Sequence, residues 1–215
     1  MTRRVSPPAG AVLPDTGAPH EASPLVLRRV TRDGEADFVA VEEPLEIRVD
    51  GKPIAVTMRT PGHDEELAGG FLYGEGLIVH APAIGLTEDL AANTIEVRGP
   101  LAHDPGIRRF YTTSSCGVCG KGALEEIAVH ADVLPDGPRV ARELLAGLPD
   151  RLVQPGFART GGLHATGLFD ANGELACVRE DVGRHNAMDK VIGWALLSGR
   201  LPLHQALLCV SGRLS

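Results

Sequence analysis

The stretch Glu174-Leu-Ala-Cys-Val-Arg179, then Glu180-Asp181-Val-Gly183-Arg184-His185-Asn186-Ala-Met-Asp189-Lys190, and finally Ala206-Leu-Leu-Cys-Val210 decides the fold class. The first segment has the composition of a strand. From about Gly183 to Leu197, Met188, Val191, Ile192, Ala195 and Leu196 recur at the spacing of one helical face. The apolar run 206–210 is short enough to be a buried strand. Strand, helix and strand in that order imply a parallel crossover and hence an α/β domain.

Working outward, Ala165 to Phe169 reads as a strand that turns through Asp170-Ala-Asn-Gly173 into the next. A helix is predicted at Arg139 to Leu148, ending before Pro149, and a strand at Thr94 to Arg98. Thr60-Pro-Gly-His-Asp64-Glu-Glu opens a helix with acidic residues at its positive end, buries Leu67, Phe71 and Leu72, and stops at Gly74 and Gly76. Before it, Phe38 to Val41, the alternating Leu45, Ile47 and Val49, and Ile54 to Met58 after the Asp50-Gly51-Lys52 turn read as a β-meander. Residues 1–24 hold five prolines and read as a disordered leader. The expected division is a β-rich subdomain over 25–100 and an α/β core over 101–215.

Composition narrows the function. The chain of 215 residues carries 28 acidic against 21 basic residues, a formal charge of −7, which disfavours nucleic acid as the main partner. No stretch has the length of a membrane span, and prolines interrupt the segment after Arg3-Arg4 where a signal-peptide core would lie. The expected address is the cytoplasm, where four cysteines stay reduced rather than forming a disulfide scaffold.

Chemistry concentrates in Phe110-Tyr-Thr-Thr-Ser-Ser-Cys116-Gly-Val-Cys119-Gly-Lys-Gly122. Glycines and hydroxyl residues surround two thiols without apolar periodicity, as in a loop that must visit two partners. Arg108, Arg109 and Lys121 are near in sequence, and cations near in space favour the reactive thiolate. The two-residue spacer lets one sulfur resolve a disulfide, share a persulfide or release bound sulfur. Half of a structural zinc site and thiol–disulfide exchange are competing readings of the same pair. Cys177 and Cys209, in apolar strands, are expected to be small buried hydrophobes.

A second constellation follows the strand at 174–179. Gly183 permits close backbone approach, and Arg184 with the helix N-terminus suits a phosphate or similar anion. His185 and Asp189, four apart, share a helix face on which the carboxylate can orient the imidazole. The alternative is that Asp181 caps the helix while Arg184 and His185 are solvated. Thr160-Gly-Gly-Leu-His164 and Ser211-Gly212-Arg213 are further candidates for ligand contact, with plain turns as the alternative.

Five stretches, in order, resemble the formate dehydrogenase accessory sulfurtransferase family: Thr60 to Leu72, Thr112 to Lys121, Thr160 to Ala165, Val178 to Ala187 and Val210 to Arg213. The resemblance implies a cytidine-deaminase-like three-layer α/β core and a homodimer. It implies a sulfur carrier that takes sulfur from a cysteine desulfurase and passes it to the bis-guanine-dinucleotide molybdenum cofactor before formate dehydrogenase receives it. Cys116 then bears the persulfide and Cys119 assists, while His164, Arg184, His185, Ser211 and Arg213 hold the cofactor and no resident metal is needed. The resemblance also implies a further C-terminal part of the core beyond Ser215, expected to be missing here. A cofactor chaperone without sulfur transfer, or a thiol–disulfide oxidoreductase acting through the same cysteines, is the rival function. A zinc deaminase is disfavoured because no His-x-Glu precedes a Pro-Cys-x-x-Cys.

Overall fold

The computed structural model describes residues 26–87, 90–103, 110–112 (backbone only) and 135–212. The expected leader and both cysteines of the 116–119 pair lie outside the described residues, as does Arg213.

Two Asp-Gly turns set the N-terminal half. Asp33 and Gly34 (φ 53° and 86°) join β1 (Leu27–Arg32) to β2 (Glu35–Ala40), and Asp50 and Gly51 (φ 46° and 76°) join β3 (Glu43–Val49) to β4 (Lys52–Arg59). Positive φ at both central residues matches the twist of a tight hairpin. The expected meander is therefore two hairpins: among the described residues β2 pairs only with β1, while β3 and β4 belong to a five-stranded mixed sheet, β5-β6-β3-β4-β7. In that sheet β6 (Thr94–Arg98) runs parallel to β3, β5 (Ala83–Leu86) antiparallel to β6, and β7 (Phe110–Thr112) parallel to β4.

Leu45, Ile47 and Val49 alternate into the core, where α1 (Asp64–Gly74) covers them with Leu67, Ala68 and Leu72. The acidic first turn of α1 is held by two arginines, Arg59 buried and Arg179 half-buried, as well as by its helix end. Arg59 donates Nε and Nη2 to the Asp64 carboxylate at 2.9 Å each, and Arg179 donates Nε and Nη2 to Glu66 at 2.5 and 2.7 Å. Burial alone would raise the Glu66 pKa, but the bonds from Arg179 and His63 outweigh it and hold the carboxyl below its usual range.

The C-terminal half follows the expected order, with corrections to several elements. The predicted helix begins at Arg142 and continues through Pro149 to Arg151 as α2, with the proline and its missing N–H confined to the last turn. A short helix, α3 (Pro155–Thr160), then leads into β8 (His164–Phe169) and β9 (Leu175–Asp181). After α4 (Arg184–Leu197) comes β10 (Leu207–Val210), giving a sheet of order β10-β8-β9 in which both neighbours run antiparallel to β8. β9 and β10 are thus parallel, as the crossover requires, but β8 separates them. β10 is an edge strand with Leu208 42% exposed, so the run at 206–210 is not fully buried.

The buried face of α4 also differs. Met188 and Ile192 are half-buried, whereas Asn186, Ala187, Lys190, Val191, Gly193, Ala195 and Leu196 are buried, because α4 touches β8 and β9 on one side and α1 on the other. The two helices meet through glycine. A Cβ on Gly70 would fall 1.8 Å from the Asp189 carbonyl oxygen, and one on Gly193 equally close to that of Glu66. Only bare backbone permits this approach. Among the described residues no helix is long and apolar enough to cross a membrane.

Candidate functional site

A buried carboxylate anchors the site. Asp181, the last residue of β9, is fully buried and accepts from the Thr60 and Gly183 backbone N–H groups (3.0 and 2.8 Å), Asn186 Nδ2 (3.1 Å) and Lys190 Nζ (2.7 Å). Lys190 Nζ donates a second bond to the Thr60 carbonyl at 2.8 Å, and the Val182 N–H donates to Thr60 Oγ1 at 3.1 Å. Desolvating two charges costs several kcal/mol per ion, and a pair survives burial when its remaining donors and acceptors are also satisfied, as here. Asn186 extends the network by donating to the Met58 carbonyl (2.7 Å) and accepting from Thr57 Oγ1 (3.2 Å). The segment 181–186 is thereby locked to the end of β4. Asp181 does not cap α4 at its N-cap position, which Gly183 occupies without any side-chain cap.

This lock presents Arg184 and His185 in the first turn of α4. Beside them the β10 end returns: the Ser211 N–H donates to the Ala165 carbonyl at 2.9 Å, and the Ala165 N–H donates to Ser211 Oγ at 2.8 Å. A Cβ on Gly212 would lie 3.3 Å from both Arg184 Cδ and His164 Nδ1, so glycine there lets the two side chains approach one backbone point. His164, Arg184 and Ser211 are therefore brought together from β8, α4 and the end of β10. His185 lies one residue on from Arg184, and neither of the two lines the adjoining groove.

That groove holds about 400 Å³ and is bounded by Gln154, Phe157, Gly161, Gly162, Leu163, His164 and Ser211. Phe157 and Gln154, from α3, were not apparent as site residues. Pro155 at the first helical position was the available signal for this helix. Glu180 stands behind the same wall: Oε2 accepts from the Gly156 N–H and Oε1 from the Phe157 N–H, both at 2.8 Å. Burial raises the Glu180 pKa, and these two bonds offset part of that rise.

Asp189 lies over α1, its Oδ1 3.9 Å from a Cβ placed on Gly74. Burial, with the negative charges of Glu75 and Asp181, pushes its pKa up to about 7. Cys177 is buried as expected, whereas Cys209 on the edge strand is half-buried, its thiol pKa raised by that partial burial.

The arrangement offers a histidine, a hydroxyl and close backbone in one groove, with Arg184 beside it across Gly212, which suits an anionic ligand with a planar or apolar part. Known proteins share this chain's sequence at length. It is 48% identical over 200 residues to the sulfur carrier protein FdhD of Mycobacterium bovis, covering 83% of this chain and 72% of that protein. It is 50% identical over 206 residues to the protein of the same name from Streptomyces avermitilis, covering 86% and 73%. A protein of the same name from Sulfurisphaera tokodaii is 43% identical over 193 residues, covering 87% and 74%. The crystal structure of a candidate formate dehydrogenase accessory protein from Desulfotalea psychrophila superposes with a TM-score of 0.63 at 28% identity, over 87% of this chain and 74% of that one. The sequence model of the FdhD/NarQ family matches residues 40–215, and the chain belongs to that family.

Proposed function

We propose that this chain is a sulfur carrier for formate dehydrogenase maturation, with Cys116 as the persulfide-bearing residue. The Cys116 thiolate attacks the outer sulfur of a cysteine desulfurase persulfide, an S–S bond forms as another breaks, and the desulfurase cysteine leaves as a thiolate. Delivery is balanced by the pair itself: Cys119 attacks Cys116 Sγ, sulfide departs with the bonding electrons toward the molybdenum cofactor, and a Cys116–Cys119 disulfide remains for reduction by an external thiol.

The cofactor enters as substrate, a bis-guanine-dinucleotide molybdenum species held by His164, Arg184, His185, Ser211 and Arg213. Three of these, His164, Arg184 and Ser211, lie around Gly212. A homodimer in the cytoplasm, built on a cytidine-deaminase-like core, is part of the same reading.

One observation carries it. Thr112, the last residue of β7, pairs with Thr57, whose hydroxyl donates to Asn186 two residues after Arg184. Cys116 follows Thr112 by four residues, so whatever path the chain takes, its Cα lies within roughly 14 Å of Thr112. A tether this short supports a reading in which the sulfur of Cys116 can reach the end of α4 that carries Arg184.

The test is sulfur delivery to cofactor in wild-type and Cys116→Ala protein. Retained cofactor binding with delivery abolished upholds the carrier. Unchanged delivery makes the chain a cofactor chaperone and overturns the proposal.

A further inference from the structure

The wall of the groove is held by a residue that does not line it. α3 has only six residues, too few to persist as a helix in water on its own, and its N-cap residue Gln154 makes no side-chain capping bond. The Glu180 carboxylate supplies that cap from β9, taking the Gly156 and Phe157 N–H groups on its two oxygens. A charged acceptor at the positive end of a helix strengthens both bonds. The fit is close: a Cβ on Gly156 would come within 2.5 Å of Leu163 Cδ1 and 2.9 Å of Glu180 Oε2. On its other side α3 is tied to the first hairpin, where the Arg159 guanidinium lies 4.2 Å from the Phe38 ring centroid. Between these two attachments Phe157, 45% exposed, faces the groove beside Gln154.

The next residue, Asp181, fixes the start of α4. Successive side chains of a strand point to opposite faces. One dipeptide of β9 thus sets both α3, which walls the groove, and the Arg184 turn, which lies next to it across Gly212.

We propose that Glu180 is a positioning residue: it fixes Phe157 and Gln154 at the distance from His164 and Ser211 that the ligand requires, without touching the ligand. The proposal rests on the groove being the cofactor site. Its test combines amide hydrogen exchange with the affinity for guanosine monophosphate, a fragment of the cofactor, in wild-type, Glu180→Gln and Glu180→Asp proteins.

In Glu180→Gln one carboxylate oxygen becomes an amide that cannot accept, so one capping bond is lost. Exchange at Gly156 and Phe157 accelerates and the nucleotide binds more weakly, each by about tenfold, while amides of Ala165 to Phe169 keep wild-type protection. Glu180→Asp keeps the charge and recovers part of the affinity. Unchanged exchange at α3, or faster exchange with unchanged affinity, overturns the proposal while leaving the cofactor reading intact. Wild-type protein that binds no nucleotide overturns both. Should Glu180→Gln lose β8 protection too, Glu180→Asp decides: weaker binding with β8 intact upholds the role, and wild-type affinity refutes it.

Discussion

Lys190 Nζ lies 2.7 Å from Asp181 Oδ2, with the two side chains 1% and 0% exposed. This contact joins α4 to β9, and through Thr60 it joins both to the end of β4. Replacing Lys190 by Met leaves a buried carboxylate without its counter-charge. We expect a loss of about 3–5 kcal/mol in urea unfolding. Asp181→Asn added to Lys190→Met removes the stranded charge but keeps an acceptor for the backbone, and recovers about 1 kcal/mol or more.

The glycine contact between α1 and α4 gives a prediction with an internal control. Gly70→Ala or Gly193→Ala drives a methyl group into a facing carbonyl, and the helices separate at a cost of about 3 kcal/mol or more. Gly147 in α2 has nothing within 4 Å of a built Cβ, and Gly147→Ala is stabilising by roughly 0.5–1 kcal/mol through helix propensity. Denaturation midpoints of the three variants check both signs.

Asp189 makes stability depend on pH. Its pKa rises from 3.8 unfolded to about 7 folded, so across that window the folded chain holds a proton that the unfolded chain has released. The contribution of this group therefore falls as pH rises from 3.8 to about 7, by at most about 1.4 kcal/mol per pH unit. Asp189→Asn removes the slope: relative to wild type, the variant gains stability at pH 8 and gains none at pH 4. Thermal melts at the two pH values decide it.

Arg184 is expected to contribute a charge-assisted bond to the ligand's phosphate. Arg184→Gln weakens guanosine monophosphate binding by about ten- to a hundredfold, read by calorimetric titration, with little change in melting temperature.

Much of this fold was legible in the residues because local chemistry and tertiary packing agree. Asp50-Gly51 announced its hairpin, and Thr94 to Arg98 forms a strand over the expected residues. The helix after Gly183 begins within one residue of its expected start. Asp33-Gly34 carried the same turn signal, yet the strands around it, Leu-Arg-Arg-Val-Thr-Arg and Glu-Ala-Asp-Phe-Val-Ala, lack the apolar alternation that would expose a β1–β2 pair. β5 has four residues with a glycine among them, and α3 depends on Glu180, 23 and 24 residues away from the amides it caps. No local pattern reveals such partners. At the site, His164, Arg184 and Ser211 were candidates with plain turns or solvated side chains as the alternative, the resemblance implied their role, and their meeting at Gly212 is a tertiary fact. Lys190 received no role from the sequence, because nothing in its own neighbourhood shows that Thr60 and Asp181 will enclose it.

The most direct test of the carrier reading is the intact mass of the protein after incubation with a cysteine desulfurase and cysteine. A gain of one sulfur atom that reductant removes and peptide mapping places on Cys116 is the predicted result. Protein that takes up no sulfur, or takes it up undiminished as Cys116→Ala, contradicts it.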